Sequence, residues 1–167
     1  HSQFVRPDQL DKYADYGFIP SFFTNHAFYW GDVHLENLGE ERANFLSPLK
    51  TATEKGVIYT NHTDYIITPI DQLFLLWTAV NRTSRSGKII GKSERISPWE
   101  GLKAITINAA FQHREEDIKG SIKEGKLADF VILEENPLTV EANNIKDIQI
   151  LETIKEGETI FKRASGD

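Results

Sequence analysis

Asn61-His62-Thr63-Asp64 follows directly on Val57-Ile58-Tyr59, placing polar groups where a short β-prone run would otherwise simply stop. His62 and Asp64 are two apart, so on an extended backbone their side chains share a face. Thr24-Asn25-His26 stands in the same relation to the apolar run Phe18–Phe23, and His1 opens the chain. Imidazole and carboxylate at consecutive strand ends suit a divalent ion such as zinc, which lowers the pKa of a bound water to ~7. A carboxylate beside that water takes its proton and returns it to a leaving group. Spacing alone does not sort His62 and Asp64 into roles. Taken singly, His26 and His62 read as structural histidines more readily than as ligands. Asp64 fits an Asx turn or a helix cap as well as a base, and His1 fits a tag remnant. His34 and His113 read as surface residues.

The elements around these residues alternate. Arg6–Gly17 reads as a helix, with Leu10, Tyr13 and Ala14 at helical spacing and Gly17 as its stop. Phe18–Phe23 reads as a strand. Ala27–Gly39, aromatic and irregular, reads as a long loop over a site. Glu40–Lys55 is the second predicted helix, followed by the Gly56–Tyr59 strand. The third helix, about Pro69 to Arg82, carries Ile70, Leu73, Phe74, Trp77 and Val80 on one stripe. Its start signal is Thr68-Pro69-Ile70-Asp71. Ser97-Pro98-Trp99-Glu100 is a capping box opening a fourth helix to about Phe111. Beyond His113 the pattern turns to β, with runs at Ala128–Leu133, Ile145–Ile154 and Glu158–Phe161 and a hairpin turn at Lys155-Glu156-Gly157.

Helix alternating with strand signals βαβ units on a parallel sheet. Two or three strands are too few to close a barrel, which takes eight. The chain therefore reads as a fragment, or as one needing a missing partner segment. It has 167 residues, 40% of them hydrophobic and 26% charged. A net charge of −6 argues against a nucleic-acid surface, and no apolar run reaches the ~18 residues of a membrane helix. The absence of cysteine leaves only His and carboxylates to hold a metal. The chain begins at His1 without a methionine, so the compartment cannot be read from it.

The ordered segments carry a further signal. His1-Ser2-Gln3, Arg6-Pro7-Asp8 and Gly17-Phe18-Ile19-Pro20-Ser21 resemble the C-terminal third of the metal-dependent amidohydrolases, in particular the YtcJ-like branch, amidohydrolase family 3. Leu38-Gly39-Glu40-Glu41-Arg42, Thr63-Asp64 with Pro69, Ser97–Leu102 through Thr106–Ala110, and Gly120–Asp129 resemble later family segments, in order.

The resemblance implies an α/β fold: about the last three βα units of a TIM (β/α)8 barrel over residues 1–118, then strands of a small β-sandwich over 119–167. It implies that His1 and Asp64 are metal ligands, with Asp64 also the general base and then acid. Substrate contacts would come from Asn25, His26, His62 and Trp30. The implied activity is hydrolysis of carbon–nitrogen bonds in amide-like, non-peptide small molecules, with a divalent metal, zinc by preference. The first-strand His-x-His pair and other ligands of the family are absent, so the chain alone is expected to be inactive and to depend on a missing N-terminal part. A homo-oligomer is compatible with this reading. The alternatives are a non-catalytic α/β binding module and a related metal-dependent isomerase or decarboxylase.

Overall fold

A computed structural model describes residues 1–164. Helix α1, Pro7–Tyr16, starts with proline in its first turn and ends at Gly17, whose φ of 64° is the left-handed conformation glycine adopts without strain. Strand β1, Ser21–Phe22, lies parallel to β2, Thr60–Asn61, pairing Ser21 with Thr60 and Phe22 with Asn61. β2 thus begins one residue beyond the predicted run, while Val57 and Tyr59 lead into it buried in the core. These two strands form the whole parallel sheet among the described residues, and no barrel closes there. The general expectation of an α/β fold holds.

The connection from β1 to β2 departs most from expectation. Instead of a loop, Asn25–Asn44 is one helix, α2, interrupted at Gly39, where φ 75° and ψ 167° break the helical path. The segment has no simple apolar stripe, which hides its period. Tertiary packing anchors it: Phe28 packs edge-on against Phe74 at 5.0 Å and near Trp77 at 5.9 Å. Gly31 permits the close approach of Ile90, since a Cβ there would lie 2.6 Å from that side chain. The predicted second helix shortens to α3, Leu49–Glu54, because Pro48 and the left-handed Ser47 separate it from α2.

Helix α4, Gln72–Asn81, starts later than Thr68-Pro69 implied. Asp71 is its cap and accepts the Phe74 N–H at 2.8 Å, while the Thr68 hydroxyl turns inward. Arg82 ends α4 in the left-handed region and is fully buried, donating to the carbonyls of Leu46, Ser47 and Ile90. The Ser97/Glu100 capping box opens α5, Pro98–Ile105, as its sequence indicates. A break at Thr106 then gives a separate α6, Ile107–Gln112.

The C-terminal part is an antiparallel sheet in the order β3-β4-β5, from Phe130–Leu133, Ile150–Lys155 and Glu158–Lys162. Glu156 and Gly157, both at positive φ, make the β4–β5 turn. The predicted strand from Ile145 begins only at Ile150. Ala142–Asp147 is a 3₁₀ segment whose Ile145 is buried against Leu76 and Trp77 of α4.

Candidate active site

The carboxyl ends of β1 and β2 open on the same side, and the chemistry-bearing residues gather there, where parallel sheets ordinarily bind ligands. A buried polar lattice holds the two ends together. The Thr24 N–H donates to Asn61 Oδ1 at 3.2 Å, and Asn61 Nδ2 donates to Thr24 Oγ1 at 2.8 Å. The Thr78 hydroxyl on α4 reaches Asn25 Oδ1 at 3.0 Å, and Asn25 Nδ2 donates to Thr68 Oγ1 at 3.0 Å. The Thr68 hydroxyl in turn donates to the Thr63 carbonyl, closing the turn that presents Asp64. Each polar group is satisfied, so the lattice fixes the strand ends rather than weakening them. Asn25, expected to touch a substrate, is therefore a fully buried strut beneath the site.

Above this base, Phe23 is the floor. Strand alternation points Phe22 into the core and leaves Phe23 under three imidazoles: His26 at 4.7 Å, His62 at 5.2 Å and His1 at 5.3 Å between ring centroids. His1, His26, His62 and Asp64 are thus brought together from three separate parts of the chain. Trp30 packs on His26 at 4.6 Å.

The hydrogen bonds run in one direction. The Asp64 N–H donates to His62 Nδ1 at 3.1 Å, which leaves the His62 proton on Nε2. That N–H faces His1 Nδ1 at 3.0 Å, so His1 carries its own proton on Nε2, 3.4 Å from Asp64 Oδ2. Asp64 itself has a φ of 51°, a conformation aspartate tolerates better than most residues. Burial lowers the pKa of His62 and His34. It pushes that of His26 down to about 4, assisted by the neighbouring His34, so these imidazoles are neutral near pH 7.

Neutral imidazole and carboxylate are the donors a divalent ion takes. Two donors of a tetrahedral zinc site, each ~2.0–2.1 Å from the ion, stand about 3.4 Å apart, and the His1 Nε2 to Asp64 Oδ2 separation is 3.4 Å. Among the described residues no three such side chains converge on one point.

Two participants escaped sequence reasoning. His34 is not a surface residue: its Nε2 is 3.1 Å from Gln3 Nε2 and 3.3 Å from His26 Nδ1, and Phe4 packs on its ring. Gln3 also reaches His26 Nδ1, at 2.9 Å. The missed signal was the i, i+4, i+8 spacing of His26, Trp30 and His34, one face of a helix. His113 is exposed beyond α6.

Comparison with known proteins gives this arrangement its context. The N-substituted formamide deformylase of Arthrobacter pascens is 26% identical over 98% of the chain. The "Putative amidohydrolase YtcJ" of Bacillus subtilis (strain 168) is 27% identical over 78% of it. The chain spans 30% and 25% of the lengths of these two relatives. A crystal structure of an uncharacterized metal-dependent hydrolase from Pyrococcus furiosus superposes on 83% of the chain with a TM-score of 0.70 and 29% identity, using 28% of its own length. A family model described as Amidohydrolase family matches residues 1–161. A match running from the first imidazole of the cluster to the last strand of the small sheet leaves one assignment: the chain belongs to the amidohydrolase family, on its YtcJ-like side.

Proposed function

We propose that this chain is the C-terminal portion of a metal-dependent hydrolase that cleaves carbon–nitrogen bonds in amide-like, non-peptide small molecules. The observation that carries the reading is the strand-end cluster, in which His1 and Asp64 stand at ligand spacing over Phe23 with His62 fixing their orientation. The match to the amidohydrolase family and the metal-dependent hydrolase from Pyrococcus furiosus support it. In this reading β1 and β2 with their helices are closing units of a barrel, residues 119–164 contribute strands to a β-sandwich, and the rest comes from an N-terminal part of the same polypeptide. The small share of each relative that the chain spans supports that last point.

His1 and Asp64 would hold a divalent ion, zinc by preference, jointly with ligands from outside this chain. Such an ion supplies Lewis acidity and makes a water acidic enough to attack at neutral pH. Asp64 accepts the proton of the attacking water as the new carbon–oxygen bond forms. It then delivers that proton to the departing nitrogen as the carbon–nitrogen bond breaks, so the carboxylate is regenerated. His62, held by the Asp64 backbone, orients the His1 ring with its Nε2 toward the Asp64 carboxylate, and an ion held there would replace the proton on that nitrogen. His26 and Trp30 line the substrate side. With only part of a ligand shell, the chain alone would be inactive.

Metal analysis of the intact polypeptide tests this. Stoichiometric divalent metal, with amide hydrolysis lost on chelation and restored by zinc, is the expected result. A metal-free protein with no hydrolytic activity would instead favour a non-catalytic binding module.

A further inference from the structure

Gln3 lies between two imidazoles. Its Nε2 is 2.9 Å from Nδ1 of His26 and 3.1 Å from Nε2 of His34, and those two ring nitrogens are 3.3 Å from each other. A carboxamide NH2 has two hydrogens to give and accepts none. With the amide in this orientation each ring nitrogen facing it is a lone pair, and each takes one hydrogen. A neutral imidazole that accepts at Nδ1 carries its proton on Nε2. The knot consequently holds His26 in its Nε2–H form and His34 in its Nδ1–H form.

The knot is anchored on both sides. The Ser47 N–H donates to the Gln3 carbonyl at 2.8 Å, fixing the backbone from which the amide projects. Phe4 meets the His34 ring edge-on at 5.2 Å, and His34 in turn stacks on His26 with centroids 5.6 Å apart. Turning the amide over would place its oxygen against two lone pairs, so it can turn only if both rings exchange tautomers together. Among the described residues Nε2 of His26 makes no hydrogen bond, and the ring is only partly buried, leaving that N–H for a ligand.

We propose that Gln3 is a positioning residue that makes His26 a hydrogen-bond donor toward the substrate and prevents it from acting as a base. This rests on the strand-end cluster being the active site. The fitting acceptor is a carbonyl oxygen that gains negative charge when the carbon–nitrogen bond is attacked. His34 serves as the counterweight, taking the second hydrogen of the amide and so setting its orientation.

The test uses the intact protein labelled with ¹⁵N-histidine. Two-bond ¹H–¹⁵N correlation spectra read the tautomers directly, with and without added zinc, and His26→Gln and His34→Gln variants assign the signals. The expected wild-type pattern is Nε2–H for His26 and Nδ1–H for His34. Gln3→Glu presents only acceptors, so His26 is expected to switch to Nδ1–H, with kcat falling about 10²-fold at unchanged metal content. Gln3→Met, which removes the donor without adding charge, is expected to give mixed tautomers and an intermediate loss. A wild-type His26 protonated on Nδ1 would overturn the proposal, as would a Gln3→Glu protein retaining Nε2–H. A tautomer switch at full activity would overturn the donor role. A protein without hydrolytic activity whose His26 still switches on Gln3→Glu would keep the lock and sink only the assigned reaction.

Discussion

The strand-end region and the C-terminal sheet are finished to different degrees, in opposite ways. At the ends of β1 and β2 the packing is complete: Thr24, Asn25, Asn61 and Thr78 are buried and mutually hydrogen-bonded, and Phe23 is sealed under three rings. Among the described residues no three metal-ligating side chains converge there. On β3, β4 and β5 the backbone ladder is complete, but Val131, Ile132, Ile160 and Phe161 face outward. Their polar neighbours pair along the surface, as Thr159 does with Glu152. Beside this sheet a groove of about 1090 Å³ runs past Leu102, Ile105, Ile122 and Leu138. Val131 and Ile160 line this groove, and an exposed apolar groove of this size is the kind of surface a further segment covers. On the proposed reading, one region takes outside atoms for its chemistry and the other takes them for its burial.

The largest effect expected is chemical. Asp64→Asn in the intact enzyme should lower kcat by about 10²–10⁴-fold, the range for losing a general acid–base group. Folding should change little, because Asn keeps the size of the carboxylate and the backbone N–H bond to His62. Steady-state kinetics beside a thermal melt would show it; an unchanged rate would remove Asp64 from its role.

Next comes the support under the site. Arg82→Met leaves the buried carbonyls of Leu46, Ser47 and Ile90 without their donor and should cost about 3–5 kcal/mol, measured by urea unfolding. Lys162→Ala, which removes a surface pairing with Glu152 on the sheet, should change stability by less than about 0.5 kcal/mol. Similar costs for the two would erase the distinction between the regions.

A smaller effect is expected from protons. His26 titrates near 4 when folded and near 6.5 when unfolded, so between those values only the unfolded chain binds a proton there. Stability is flat above pH 6.5 on this account and falls as pH drops toward 4. The full shift is worth roughly 3 kcal/mol, and partial exposure of the ring reduces that to about 1 kcal/mol. Chemical unfolding at pH 7 and pH 4.5, with His26→Gln reducing the difference, checks the sign.

How much of this was legible in the sequence follows from the range of each interaction. The Ser97/Glu100 box and the Gly17 stop are settled within a few residues and read correctly. Helix α2 does not, because its face is written in His26, Trp30 and His34 and carries no aliphatic stripe. The outer site residues were nameable as polar groups at strand ends. Their assembly was not: Gln3 and His34 meet across 31 positions and His1 and His62 across 61, contacts that no local pattern announces. Asn25 shows the same limit of range, since a polar residue at a strand end looks alike whether it faces a ligand or a buried threonine such as Thr68.

The smallest effect expected in this chain is the one that bears most on the sheet. Ile160 on β5 is 64% exposed, so Ile160→Lys should alter the stability of residues 1–167 by no more than about 0.5 kcal/mol. If the face is covered in the intact polypeptide, the same substitution there forces a charge into an apolar contact and should cost several times as much. Paired unfolding measurements on the two proteins give a difference that no property of this chain alone can produce. Equal costs would mean that the β3–β5 face stays open to water in both, and that the contrast between the two regions is one of chemistry only.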